Sequence, residues 1–372
     1  MNIVLPSSIA IAGIYGYIGN LIYNAAVELG VEKIYGFDPG VKPNTFINSD
    51  RLEFLENQEE FYNLDVDLFH IATHPQVRQC VFYLIKKGKK INIEKPMAHP
   101  SQPEECFKLI NAVKNSSSSV YFNFVELFNP LTFEIISIID NFKQFEDFKI
   151  THIYSERCKN REDKTISRNR KIIVPIQFQE SCHCLAWIIF ILNRGSFFEN
   201  VFPKGIEVRA VSEIYNPPNP EDYTFGVVDG KVVAKLFVED LLIEIYNDFK
   251  RKDLKYPSKL LLVEYTAKNQ HFKLELKYNG VNEYLLLNGE TIEKNWEQNR
   301  HKNTIVKSWY YHQQPTISKI KPDVDLAWLV FGLSATLWKS CFENRAVEIR
   351  SEADLIDAVS CYPNNLERLP KY

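Results

Sequence analysis

The sequence predicts two domains: an α/β domain built on a parallel sheet, then an α+β domain with a large, open, mostly antiparallel sheet. Two observations carry the first. Up to residue 128, short apolar runs alternate with segments of helical spacing, the pattern of βαβ units. A glycine-rich turn joins the first such run to the first such helix. One observation carries the second: from residue 148 onward long strand-like segments dominate, joined by turn signals. The predicted boundaries are 1–128 and 129–372, with a helix over about 323–344 packing across the domains.

A chain of 372 residues is long enough for two cores. Its net charge of −3 gives no reason to expect nucleic acid or an acidic membrane surface as partner. No stretch approaches the ~20 apolar residues of a membrane span. The start, Met1-Asn2-Ile3-Val4-Leu5-Pro6, lacks the basic region and cleavage site of a signal peptide. Seven scattered cysteines read as reduced thiols, so the expected location is cytoplasmic. Cys182 and Cys184 flank His183, but that spacing is not a zinc ribbon and no second pair follows, so no metal site is expected.

The first strand, 8–12, leads into Gly13-Ile14-Tyr15-Gly16-Tyr17-Ile18-Gly19 and a helix that stops at Gly30. Glycines in such a turn let the backbone approach a pyrophosphate, which the helix N-terminus stabilises. Gly13, Tyr15, Gly16, Tyr17 and Ile18 are therefore candidate cofactor-binding residues. Ile14 stands where the usual pattern has its first glycine. A second strand ends in Asp38, an acid placed to bind the adenosine ribose hydroxyls and repel a 2′-phosphate. This favours NAD over NADP; the plain alternative is a turn acid before Pro39-Gly40.

Residues 67–73 form another strand, ending in Ala72-Thr73, and His74 follows at the same sheet edge. A helix over 76–87 stops at Gly88. The run Lys90-Ile91-Asn92-Ile93 reads as a buried strand broken by one Asn. Pro96 cannot continue a ladder, so Lys95 is placed at the strand's carboxyl end, the edge where ligands bind in open α/β sheets. Ser101 with Glu104 matches a helix capping box. A strand over 120–124 and a helix over 131–142 complete the first half. Strands are expected at 148–155, 205–211, 223–228, 232–238, 242–249, 259–265 and 271–278. Asp229-Gly230 and Asn279-Gly280 read as hairpin turns. Helices are expected over 181–192 and 323–344.

Together these segments resemble the glucose–fructose oxidoreductase/inositol dehydrogenase family (Gfo/Idh/MocA). The most specific match runs from Asp67-Leu68-Phe69-His70-Ile71-Ala72-Thr73 through Gly88 to Glu94-Lys95-Pro96-Met97-Ala98. Asn123 with Glu126, Phe128, Asn129 and Pro130 resembles the next motif, and His183 before Trp187 resembles the helix of the family's catalytic His. The stretch 323–349, ending Ala346-Val347-Glu348-Ile349, resembles the closing helix and last strand.

The resemblance implies a Rossmann dinucleotide domain and hydride transfer between nicotinamide and a carbon of a sugar, sugar nucleotide or cyclitol. It implies Ala72, Thr73, His74, Glu94, Lys95 and Asn123 around the cofactor, and Lys95 and His183 as catalytic residues. It also implies a homodimer or homotetramer through the second domain's sheet. Lys95 would polarise the reacting hydroxyl. His183 suits a general base, since imidazole titrates near ~6.5; the plain alternative is a core histidine. The chain departs from the family at Gln179 and Ala186, where acids are common, at Ser181, and at Leu127, where many members have Arg. Glu180 is one place off the first of these. Related possibilities are an imine or C=C reductase and a dinucleotide-binding relative without turnover.

The remaining charged features are less specific. Arg157, Lys159, Arg161, Lys164, Arg168, Arg170 and Lys171 form a basic run, read either as a solvated loop or as a lid for an anionic substrate. His301 and His312 lack ligand spacing and are expected at the surface.

Overall fold

The computed structural model describes residues 5–40, 42–44, 46, 48–161, 174–192, 202–215, 228–280, 282–295, 307–309, 312 and 321–361. The chain forms two compact units. One comprises Met1–Phe128 with Asn299–Trp328, the other Asn129–Gln298 with Leu329–Tyr372. The expected strand at 223–228, the basic residues Lys164, Arg168, Arg170 and Lys171, and His301 lie outside the described residues, save Val228.

The first unit is built on β1 (Ser8–Ala12), β2 (Lys33–Phe37), β3 (Leu52–Phe54), β4 (Leu68–Ile71), β5 (Lys90–Ile93) and β6 (Ser119–Phe122). Their order is β3-β2-β1-β4-β5-β6 and every pairing is parallel. All of Leu68–Ile71 is buried, as for a strand covered on both faces. The strand order reverses between β1 and β4, which creates a crevice at their carboxyl ends.

Around this sheet run α1 (Tyr17–Leu29), α2 (Gln58–Asn63), α3 (Gln79–Lys86) and α4 (Glu104–Lys114). α1 stops where the sequence predicts: Gly30 is left-handed (φ +82°) and its N–H donates to the carbonyls of Ala26 and Val27. β3 and α2 have too few residues to show a period, and the sequence did not announce them.

Three expectations in this unit are corrected. The helix expected from 76 begins at Gln79, because His74 and Pro75 first start a 3-10 turn over Pro75–Val77. Ser101 is not a helix cap. α4 starts at Glu104 behind Pro103, and the Ser101 hydroxyl lies 2.6 Å from His99 Nδ1. His312 is not at the surface. It is buried, with Nε2 2.8 Å from Asn92 Oδ1 and Nδ1 3.1 Å from Ser119 Oγ. Asn92 also donates to Ser308 Oγ at 2.8 Å. The lone Asn in the apolar β5 run is thus a polar anchor for a distant segment, its hydrogen-bonding groups matched inside the core.

The second unit carries α5 (Pro130–Phe142), β7 (Lys149–Cys158), α6 (Cys182–Leu192), β8 (Ile206–Tyr215), β9 (Val228–Val238) and β10 (Leu241–Asp248). It continues with β11 (Ser258–Ala267), β12 (Gln270–Tyr278), β13 (Glu283–Leu287) and β14 (Glu290–Asn295). Further along the chain come α7 (Val324–Glu343), β15 (Val347–Ile349) and α8 (Glu352–Ser360). The nine strands are ordered β14-β13-β12-β11-β7-β10-β9-β8-β15. The β7–β10 pairing is parallel and the others are antiparallel.

Tight hairpins use left-handed residue pairs: Lys268-Asn269 joins β11 to β12 and Asn288-Gly289 joins β13 to β14. Asn279-Gly280 makes the turn before β13, with Gly280 at φ +90°. Asp229-Gly230 does not make a hairpin. It lies inside β9, where the register with β8 slips between Glu213 and Ile214, so its glycine marks a bulge. α6 is buried on all sides from Cys182 to Ile191, as expected of a helix with no polar face. Among the described residues no helix is long and apolar enough to cross a membrane.

Candidate functional site

At the β1/β4 crevice the glycine turn closes tightly. Gly13 is left-handed (φ +78°), donates to Phe37 O at 2.8 Å and accepts from Gly16 N–H at 3.0 Å. A Cβ on Gly13 would stand 3.1 Å from the Ala72 carbonyl and from Thr73 Cγ2. The glycine therefore lets the exits of β1 and β4 come together, which brings Gly13, Ala72 and Thr73 to one place as the sequence suggested.

A Cβ on Gly19 would fall 2.0 Å from the Gly13 carbonyl oxygen, so α1 rests directly on turn backbone. Gly19→Ala is expected to cost about 3 kcal/mol or more, because the obstruction is main chain that cannot rotate away. Urea unfolding measures this; an unchanged midpoint would contradict it. Ile14 is tolerated in place of a glycine because its side chain turns inward and is fully buried. A Cβ on Gly36 of β2 would lie 2.7 Å from Ile14 Cδ1, so that glycine makes the room.

The Tyr15 N–H donates to Asp38 Oδ2 at 2.9 Å and the Gly40 N–H to Oδ1 at 2.8 Å. Asp38 thus braces the turn, and each oxygen keeps a lone pair for another donor. The Tyr15 ring stacks on Phe54 and meets Phe46 edge-on, both at 5.1 Å between centroids. α1 begins after Gly16 without a side-chain cap or an acid in its first turn, so its positive end is open to an anion. Thr73 Oγ1 is buried with no partner among the described residues. A glycine cradle, an uncapped helix start and a buried hydroxyl in want of a partner fit a dinucleotide.

Lys95 follows β5 and is half-buried; the Lys95–Pro96 peptide is cis. The turn it occupies is held by a residue that no sequence pattern flagged. Arg78 is buried and donates through Nε to Thr73 O at 2.9 Å and through a terminal nitrogen to Pro96 O at 2.7 Å. One guanidinium ties together the exits of β4 and β5. Burial lowers Arg78 to about 10, which still leaves it a cation at neutral pH. Beneath Lys95, Glu94 is buried and its Oε1 faces His70 Nε2 at 3.3 Å and accepts from Asn123 Nδ2. Glu94 and Asn123, both expected near the cofactor, are first of all partners of one another.

His74 caps the 3-10 turn, its Nδ1 accepting from the Gln76 N–H at 3.4 Å, and its ring lies 5.5 Å from that of His99. Burial holds His74 down to about 3, with His99 and Arg78 adding repulsion; burial alone holds His99 at about 4. Both rings are neutral at physiological pH.

In the second unit, His183 is buried on the first turn of α6, directly after a π-helical turn over Gln177–Ser181. Ser181 Oγ lies 2.6 Å from Asn247 Oδ1, and Trp187 Nε1 donates to Thr132 Oγ1 at 3.0 Å, so strand and helix fix the segment. Gln179 accepts from Arg161 at 3.0 Å. Glu180 faces β7: Arg157 Nε meets Oε2 at 2.9 Å and Lys159 Nζ meets Oε1.

No family profile matches the chain, and no curated protein matches it by sequence. Solved structures do. A myo-inositol dehydrogenase from Corynebacterium glutamicum superposes with a TM-score of 0.64 at 14% identity, over 92% of this chain and 98% of its own. GenD2 from gentamicin A biosynthesis, solved in complex with NAD, gives 0.69 at 13% identity over 94% and 98%. The chain has the Gfo/Idh/MocA fold. The same fold is adopted by Gal80p of Saccharomyces cerevisiae, solved as a super-repressor mutant, with a TM-score of 0.66 at 12% identity over 95% and 99%. In this chain, the turn after β1 and the Glu94-Lys95-Pro96 turn after β5 both stand at the carboxyl edge of the first sheet.

Proposed function

We propose that the chain is a nicotinamide-dependent oxidoreductase moving hydride between NAD and a secondary alcohol or ketone carbon of a sugar, sugar nucleotide or cyclitol. The observation that carries this reading is the cradle at the β1/β4 crevice, where Gly13 and Thr73 meet under an uncapped helix start, with Lys95 at the same sheet edge. The nicotinamide supplies the hydride or receives it. Gly13, Gly16 and the first N–H groups of α1 hold the pyrophosphate. The buried Thr73 hydroxyl and His74 would face the nicotinamide side of the cofactor. Lys95 donates a hydrogen bond to the reacting oxygen, and the resemblance assigns proton transfer to His183. Asp38 favours NAD, because its carboxylate repels a 2′-phosphate.

NADH fluorescence titration tests the reading. Enhancement that saturates is expected, with NADPH weaker by about tenfold or more. If NADH neither brightens nor raises the melting temperature, the proposal fails. If NADPH binds equally well, the role given to Asp38 fails. A screen of free sugars, nucleotide sugars and cyclitols with NAD then locates the substrate.

A second reading is favoured by Gln179 and Ala186, which stand where dehydrogenases of this fold often carry acids, and by the fold's use in Gal80p. In that reading the chain binds the dinucleotide as a signal and does not turn over. Binding without turnover across the screen would support it.

A further inference from the structure

One buried guanidinium joins the two strand exits that carry Thr73 and Lys95. The β4–β5 ladder closes with the Glu94 N–H donating to Ile71 O at 3.0 Å. Beyond that bond Arg78 links the chains, its Nε donating to Thr73 O at 2.9 Å and its Nη1 to Pro96 O at 2.7 Å. Neither carbonyl accepts a backbone N–H among the described residues. Lys95 is therefore bracketed, by the ladder bond at Glu94 on one side and the clamped Pro96 carbonyl on the other. The Arg78 side chain is 7% exposed and neither of these bonds goes to a carboxylate. Burial disfavours its charge, and the field of Glu94 offsets part of that cost. Arg78 also lines a cavity between α3 and α4, beside Gln79, Phe82, Met97 and Gln102, of about 490 Å³ with the solvent at its mouth.

We propose that Arg78 is a positioning residue for the reaction: it fixes where Lys95 stands relative to Thr73, and so relative to the nicotinamide. This rests on the oxidoreductase reading for what Lys95 does; the clamp itself stands on its hydrogen bonds. What a guanidinium adds here is geometry. Its nitrogens lie in one rigid plane, so two carbonyls bonded to it are held at a separation set by covalent bonds. A lysine in the same place offers one nitrogen on a flexible stem. Arg78 acts through backbone alone, holding Thr73 itself and the residue after Lys95. Thr73 brings a buried hydroxyl that lacks a partner, and Lys95 brings the ammonium. With the clamp in place the two turns move as one. Hydride transfer depends on such spacing, since a misplacement of about 1 Å can cost about a hundredfold in rate.

The test compares the full chain with its Arg78→Lys and Arg78→Gly variants. In both, kcat with the best substrate is expected to fall by about thirtyfold or more, while KM stays within about threefold. Millimolar guanidinium chloride, far below denaturing levels, is expected to raise turnover of Arg78→Gly saturably by about tenfold, because the free ion reaches the vacated place through the cavity. Sodium chloride and urea at the same concentrations are expected not to. A second readout needs no turnover. The lysines are reductively methylated with isotope-labelled methyl groups, and the resonance absent from Lys95→Met belongs to Lys95. That resonance is expected to shift or split in both Arg78 variants while the other lysines stay in place. Melting temperatures show which variants fold, and Arg78→Lys carries the test if Arg78→Gly does not. An unmoved Lys95 resonance in a folded variant overturns the proposal, and so does a kcat within about threefold of the parent. If the parent itself neither binds NADH nor turns over, the oxidoreductase reading fails and the Lys95 resonance alone decides the clamp.

Discussion

Replacing Lys95 with methionine is expected to lower turnover of the best substrate by about a thousandfold, while NADH binds within about threefold of the parent. The lysine stands after β5 at the ligand edge of a parallel sheet. Its neighbours hold the turn: Arg78 clamps Pro96 and Thr73, and Glu94 is locked between His70 and Asn123. Removing the amine deletes a donor while the Arg78 and Glu94 bonds that hold the turn remain. A group that stabilises charge on the reacting oxygen acts in the transition state, so the loss falls on kcat. Single-turnover rates and NADH fluorescence on the same variant check both halves. A variant that keeps its rate but loses NADH would make Lys95 a cofactor ligand instead.

Acid is expected to destabilise the first unit before its carboxylates begin to titrate. His74 and His312 are held at about 3 and His99 at about 4, in each case chiefly by burial. All three values lie below that of a free imidazole. In the unfolded chain these rings take up protons as pH falls below ~6.5, whereas the folded unit stays neutral until about 3 to 4. Stability is thus unaffected above ~7 and drains away as pH falls. Three such groups give at most about 4 kcal/mol per pH unit between ~6 and ~4.5, His74 contributing least because it is only half-buried. Against a typical domain stability of 5–15 kcal/mol, on the order of two pH units suffices. Melting temperatures from neutral pH down to ~5 measure this, and a flat profile would refute it. His312→Asn removes one titrating ring and is expected to shallow the slope by about a third.

Much of the site was legible because the signals are local. A strand, a glycine turn and a helix are neighbours in sequence, and each glycine in the turn carries a steric reason: Gly13 sits against Ala72, and Gly19 against Gly13 itself. The Gly30 stop depends only on a left-handed residue after a helical run. Lys95 could be placed at the carboxyl end of β5 because a proline follows it. Short pieces such as β3 and α2 were missed because three to six residues show no period. Asp229-Gly230 misled because a flexible pair serves a bulge as readily as a hairpin, and only the partner strand decides which.

The sequence by itself determined two domains, the parallel and antiparallel character of their sheets, and the edge at which Gly13, Thr73 and Lys95 gather. These follow from periodicity and from backbone sterics, which act between near neighbours. Tertiary structure alone decided what polar groups do once buried. His312, expected at the surface, reaches Asn92 across 220 positions. Arg78, which has no pattern around it, joins two strand exits, and Glu180 turns to Arg157 of β7 and to Lys159 and Arg161 just after it. A buried charge or amide must find a partner wherever the fold supplies one, and that choice is settled in space, not along the chain.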